Sequence, residues 1–183
     1  PVFAVELDRE PYLQRLNSDS VVVVWRGTTT HSGAVFYGTD STDLSNEVQS
    51  SERLQHEVLL SGLEPNTEYT YRVVSGSETL SLETHYTFKT APHVGDRGHF
   101  QMWVVGDSGT GGAAQYAVKE AMKAAVGSDL PDLYLHVGDM AYGDGTDSEF
   151  TSHFFLPYQE LLSSIPVFTA IGNHEGRSST SPG

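Results

Sequence analysis

The chain has 183 residues, no cysteine, and a formal charge of −14 from 24 acids against 10 lysines and arginines. Its length suits one ordinary domain or two small ones, and the missing thiols exclude a disulfide framework, a thiolate metal site and a cysteine nucleophile. So acidic a chain repels a phosphate backbone, and no window reaches the apolar length of a membrane helix, so neither nucleic acid nor membrane is expected as a partner.

Residues 1–91 read as all-β. SVVVVWR (20–26) puts Val21, Val23 and Trp25 on one face, and AVFYG (34–38), EVLLSGL (57–63), EYTYRVV (68–74) and HYTFKT (85–90) follow at short intervals. Turn residues in SGLEPNT (61–67) and SGS (75–77) separate them. About seven short strands in such a length predict a β-sandwich. LEPNTEYTYRV starts a strand with Tyr69 and Tyr71 just after a proline turn, where a tyrosine corner would tie strand to loop. The stretch resembles a fibronectin type III domain. Residues 92–98, rich in glycine and proline, read as the linker.

Residues 99–183 change period. FQMWVVGD (100–107) is a continuous apolar run, which predicts a strand buried on both faces. AAQYAVKEAMKAAV (113–126) carries Ala114, Val118, Ala121, Met122 and Ala125 at helical spacing, as a buried stripe would. DLYLHVGD (132–139) is the second strand. Thr146 and Glu149 fit a capping box that opens a helix reaching about residue 162, with Pro157 kinking or splitting it. IPVFTAIGN (165–173) is the third strand. The βαβαβ order implies right-handed crossovers and a parallel sheet.

Ligands of such sheets bind beyond the carboxyl ends of the strands. All three strands end in polar motifs there: GDSG (106–109), GDMAY (138–142) and GNHE (172–175). Asp107, Asp139 and Asn173 therefore project from one edge. Crowded carboxylates repel unless one is protonated or a cation joins them. With the phenol of Tyr142 these are hard oxygen donors, suited to magnesium, manganese or ferric iron, and with added imidazoles to zinc. Two-metal hydrolases hold their ions about 3.5 to 4 Å apart, a span that one bridging carboxylate covers, and Asp139 is the central one. A single Gly-Asp after a strand is ordinarily only a turn; two such motifs and a Gly-Asn, in order on successive strands, change that reading. DSGTGG lacks the lysine and glycine spacing of a phosphate-binding loop and reads as the turn carrying Asp107. His136 reads as a hydrogen-bonded core residue, and His153, beside Phe154 and Phe155, as a core or interface histidine.

The three motifs resemble the first three of five that mark the calcineurin-like metallophosphoesterases, and Tyr142 in the second narrows the likeness to the purple acid phosphatases. PYLQ (11–14), VVWR (23–26), FYG (36–38), SGLEPNTEYTYRV (61–73) and FKTAP (88–92) are similar to that family's amino-terminal β-sandwich. The resemblance implies a fibronectin III-like sandwich followed by the first, βαβαβ half of an α/β metallophosphoesterase sandwich. It further implies a dinuclear centre of ferric iron plus a divalent ion of iron, zinc or manganese. Asp107 and Tyr142 would hold the ferric ion, Asp139 would bridge, and Asn173 would hold the divalent ion, with a metal-bound hydroxide attacking phosphorus. His174 would contact the substrate phosphate or leaving oxygen as a catalytic residue, with Glu175 orienting it. The substrate would be a small phosphate ester, and the enzyme secreted or periplasmic.

The family's other three ligands are histidines from two later motifs, and no histidine follows His174 here. The resemblance thus implies a further carboxy-terminal portion of the same polypeptide as partner, supplying them. Three parallel strands without the rest of their sheet would leave an apolar face bare. The tail GRSSTSPG (176–183) reads as a mobile loop. The alternative function is a non-catalytic binding module that uses the β-sandwich and carries an inactive phosphoesterase remnant.

Overall fold

The computed structural model describes residues 6–76, 78–79 and 86–177; His85 and the tail from 178 onward, both read above, lie outside them. The chain forms two compact units, Pro1–Gly98 and His99–Gly183.

The first unit is all-β. β1 (Leu7–Gln14) pairs antiparallel with the first half of β2 (Ser20–Gly38). β2 merges SVVVVWR and AVFYG, expected above as separate strands, into one strand of 19 residues. The β-branched Thr28, Thr29 and Thr30 between them favour extended backbone, so the chain bends through register breaks around His31 rather than turning back. β3 (Asn46–Ser61) follows it antiparallel through both halves. The second half of β2 also pairs with β4 (Glu68–Ser75), which carries β5 (Glu78–Thr79) and β6 (Tyr86–Lys89). Val21 and Trp25 from the first half of β2 meet Val35 from the second, with Leu60, Tyr71 and Phe88, in one buried cluster. Two layers sharing two bent strands thus close on a single core.

The tyrosine corner is Tyr69, whose hydroxyl accepts the Glu64 N–H at 2.9 Å. Thr90 closes the same corner by accepting from Thr67 N–H at 2.9 Å and donating to Glu64 O at 2.7 Å. Deeper in, the Trp25 indole donates to Ser75 Oγ at 3.1 Å and stacks on His56 with ring centres 4.3 Å apart.

The second unit is a parallel sheet in the order β7 (Met102–Val105), β8 (Leu133–His136), β9 (Val167–Thr169). Thr146 and Glu149 form the expected capping box at the start of α2 (Asp147–Glu149). A π-helical segment, Phe150–Phe155, and then α3 (Leu156–Leu162) continue that helix. Pro157 lies in the first turn of α3, where its missing N–H is tolerated, and the widened turn precedes it. On the helix-covered face, Trp103 stacks on Tyr134 at 4.6 Å, and Tyr134 meets Tyr158 and Phe154 at 5.5 and 6.3 Å.

Two expectations fail here. β7 is covered on one face only: Met102 and Val104 are nearly half exposed, as is Phe168 on β9. The bare face is the one expected if the sheet lacks its covering layer. α1 runs over Ala113–Val126 as anticipated but buries Gln115 and Lys119, leaving Ala114, Val118, Ala121 and Ala125 outward. The reason is polar: Gln115 hydrogen-bonds across to the neighbouring helix, and Lys123 meets Glu160 Oε1 at 2.7 Å.

Candidate functional site

Each of the three parallel strands runs straight into a motif loop. Backbone bonds carry the pairing past the strand ends: Val137 N–H to Val105 O at 2.8 Å and Ala170 N–H to His136 O at 2.8 Å. Beyond them Asp107 and Asp139 both take left-handed backbone, φ 55° and 57°. Aspartate tolerates that region better than most residues because its short side chain bonds locally, and non-glycine residues held there cluster at functional sites.

The first two loops are braided. Asp107 N–H donates to Gly138 O, Gly109 N–H to Asp139 O, each at 3.0 Å, and Tyr142 N–H to Gly109 O at 2.8 Å. A side chain at Gly109 would overlap the Met140 backbone, so only glycine permits this approach. His136, fully buried, anchors the braid from below: its Nδ1 accepts the Gly138 N–H at 3.3 Å, leaving Nε2–H to donate to Ser108 Oγ at 2.8 Å. Tyr158 donates to the same Oγ at 3.1 Å. Burial pushes the His136 imidazole down to about 4, so it is neutral near pH 7. The expected core role of His136 is what the structure shows.

The third loop is tied to the second by Glu175. Its carboxylate is buried and accepts Asp139 N–H at 2.9 Å, Ala141 N–H at 3.0 Å and Gly172 N–H at 2.7 Å. Asp139 Oδ1 returns the tie by accepting His174 N–H at 3.0 Å. Glu149 does similar work downstream, accepting from the amides of Thr146 at 2.8 Å, Gly143 at 3.0 Å and Asp144 at 3.2 Å. These bonds, Thr146 foremost, hold its carboxyl down at about 2.

The structure brings together Asp107, Asp139, Tyr142 and His174. Tyr142 Oη donates to Asp107 Oδ1 at 3.1 Å, and the Tyr142 and His174 rings meet edge to face at 4.4 Å. Asn173 is exposed in the third loop. His174 is not oriented by Glu175, as the family resemblance suggested; Glu175 is turned inward onto backbone amides. The imidazole instead donates from Nδ1 to Gly143 O at 2.6 Å, with Arg177 Nη1 nearby at 3.1 Å. Neither the inward Glu175 nor Arg177 was visible in the motif spacing; an acid directly after a candidate ligand pair was the only signal.

Among the described residues no three His, Asp or Glu side chains converge as a metal site. The donors that the hydrogen bonds and braided loops bring together are two carboxylates and a phenol, those of Asp107, Asp139 and Tyr142. An all-oxygen set of this kind suits a hard metal ion.

Residues 10–90 match the family model described as the purple acid phosphatase N-terminal domain, and residues 100–182 match that of the calcineurin-like phosphoesterases. "Probable inactive purple acid phosphatase 1" of Arabidopsis thaliana is 30% identical over 133 residues, covering 66% of this chain and 21% of that protein. "Acid phosphatase type 7" of Mus musculus is 31% identical over 124 residues, covering 67% and 26%. The chain therefore spans about a fifth to a quarter of these relatives. The solved purple acid phosphatase PPD1 from yellow lupin (Lupinus luteus) seeds shares the fold with a TM-score of 0.71 at 22% identity, over 90% of this chain and 35% of that one. With both family models matched in tandem on either side of one short connection, the chain belongs to the purple acid phosphatases of the calcineurin-like phosphoesterase superfamily.

Proposed function

We propose that the polypeptide containing this chain hydrolyses phosphate esters at a two-metal centre of ferric iron and a divalent ion. The observation that carries this reading is the convergence of Asp107, Asp139 and Tyr142 from two braided loops, both aspartates in left-handed backbone. A non-catalytic remnant has no physical need for that arrangement. Asp107 and Tyr142 would hold the ferric ion, Asp139 would lie between the two, and Asn173 would hold the divalent ion. Such a pair, when bound, neutralises phosphoryl oxygens and makes water a nucleophile near neutral pH.

The chain's own residues then bind and orient. His174, with Nδ1–H engaged by Gly143 O, keeps Nε2 for the phosphate or the leaving oxygen, where it can hold or give a proton. Glu175 and Glu149 fix the loop between them by its amides. The missing imidazole ligands come, on this reading, from a further part of the same polypeptide. The half-exposed Met102, Val104 and Phe168 support it, because a bare apolar sheet face calls for a covering layer.

A second reading, a non-catalytic protein whose β-sandwich binds a partner, draws support from relatives such as those named "Probable inactive purple acid phosphatase" 1, 24 and 27. Hydrolysis of p-nitrophenyl phosphate by the full-length polypeptide separates the two. Activity that falls at least about 100-fold in Asp139→Asn supports the enzyme. Absence of activity with iron, zinc and manganese all supplied favours the binding protein.

A further inference from the structure

We propose that His153 is a positioning residue for Tyr142, acting with Gln115 as a bracket that sets the phenol against Asp107. The inference rests on the metal-site reading of Tyr142 given above.

His153 does not serve the core. Its neighbour Phe154 does, meeting Tyr134, His136 and Tyr158 ring to ring at 6.3, 5.6 and 5.7 Å. The His153 ring faces the motif loops, and Nδ1 lies 2.7 Å from Tyr142 O. A carbonyl only accepts, so Nδ1 carries the proton. The backbone carbonyl of His153 is also engaged, by Gln115 Nε2–H at 2.6 Å. That carbonyl stands in the π segment four residues before Pro157, which has no N–H to offer it. Gln115 Oε1 in turn accepts Gly111 N–H at 2.7 Å.

The circuit closes. From Asp107 the chain leads to Gly111, through Gln115 to His153, through His153 to the Tyr142 carbonyl, and from the Tyr142 hydroxyl back to Asp107 Oδ1 at 3.1 Å. Gly111 completes the fit: its φ is +66°, and a Cβ there would lie 2.6 Å from His153 Cδ2. The bracket thereby reads one distance, that between the loop after β7 and the loop after β8, and holds Tyr142 at its far end. π turns recur at functional sites.

Asparagine places an amide N–H where the His153 Nδ1–H stands, and leucine does not. The test therefore compares His153→Asn with His153→Leu in the full-length polypeptide. First, ¹⁵N NMR of the metal-free wild type reads the His153 tautomer, expected as Nδ1–H. Second, the ring signals of ¹³C-labelled tyrosine, assigned with Tyr142→Phe, report where Tyr142 sits. We expect His153→Asn to keep the Tyr142 signal and His153→Leu to move it. Third, kcat/KM on p-nitrophenyl phosphate should fall about 10- to 100-fold in His153→Leu and return to within about threefold of wild type in His153→Asn. An Nε2–H tautomer, or identical Tyr142 signals in the two variants, overturns the bracket. If no form hydrolyses phosphate or holds metal, the functional reading fails, while the first two measurements still decide the role of His153.

Discussion

Tyr142 and Asp107, which lie on different loops, share a hydrogen bond of 3.1 Å in which the phenol donates to the carboxylate. The bond sets the second motif's tyrosine against the first motif's aspartate. Tyr142→Phe removes the donor and the phenol oxygen while leaving the edge-to-face contact of its ring with His174. We expect the variant to fold normally, with stability within about 1 kcal/mol of wild type. Phosphatase activity should nonetheless drop at least about tenfold, as read by melting curves beside the assay. Equal losses of stability and activity would make Tyr142 a packing residue.

Glu175 offers a sharper separation of roles. Three backbone N–H groups from two loops point at its buried carboxylate. Glu175→Gln replaces an acceptor oxygen by an N–H and leaves at least one buried amide unpaired, which costs about 1 to 3 kcal/mol. Hydrogen exchange at Asp139, Ala141 and Gly172 should accelerate together in that variant. Unchanged protection at these amides would contradict the assigned role.

In the β-sandwich, Tyr69→Phe strips the Glu64 N–H of its acceptor at the corner. A loss of about 1 to 2 kcal/mol is expected from denaturant melts of this variant. No measurable loss would mean that Thr90 alone holds the corner.

His56 makes the same domain sensitive to acid. Burial, then the neighbouring His31 and Arg53, pushes its imidazole down to about 4. Its ring meets Trp25, His31 at 5.3 Å and Ser50 Oγ at 2.9 Å, none of them an acid. The folded value lies below the ordinary 6.5, so the unfolded chain binds the proton first as pH falls. Stability from this group is full above about pH 6.5 and declines toward pH 4. His56→Phe keeps a ring on Trp25 but cannot titrate. The melting temperature of this variant should fall less steeply than that of wild type between pH 6.5 and 4. Parallel curves would assign the acid sensitivity elsewhere.

Much of this architecture is legible in the sequence wherever a local rule applies. Glycine followed by aspartate at the end of an apolar run announces the turns at 107 and 139, and a proline turn before Tyr69 announces the corner. Thr146 with Glu149 announces the helix start. What stays hidden are bonds between distant residues. Gln115 and Lys119 defeat the apolar periodicity of α1, since the His153 carbonyl and Glu120 satisfy polar groups on its buried face. Glu149 reads as half of a capping box, yet it also holds Gly143 and Asp144. His153 reads as packing because its bond to the Tyr142 carbonyl leaves no trace in spacing. The bend in β2 is missed for a different reason: Gly27, Ser32 and Gly33 read as turn residues, yet the threonines between them keep the chain extended through the register breaks.

The most direct test of the central claim is native mass spectrometry of the full-length polypeptide, purified after expression with iron and zinc, beside Asp139→Asn. The account predicts about two metal ions per chain in the wild type and loss of at least one in the variant. Wild-type protein that stays metal-free under those conditions would contradict it.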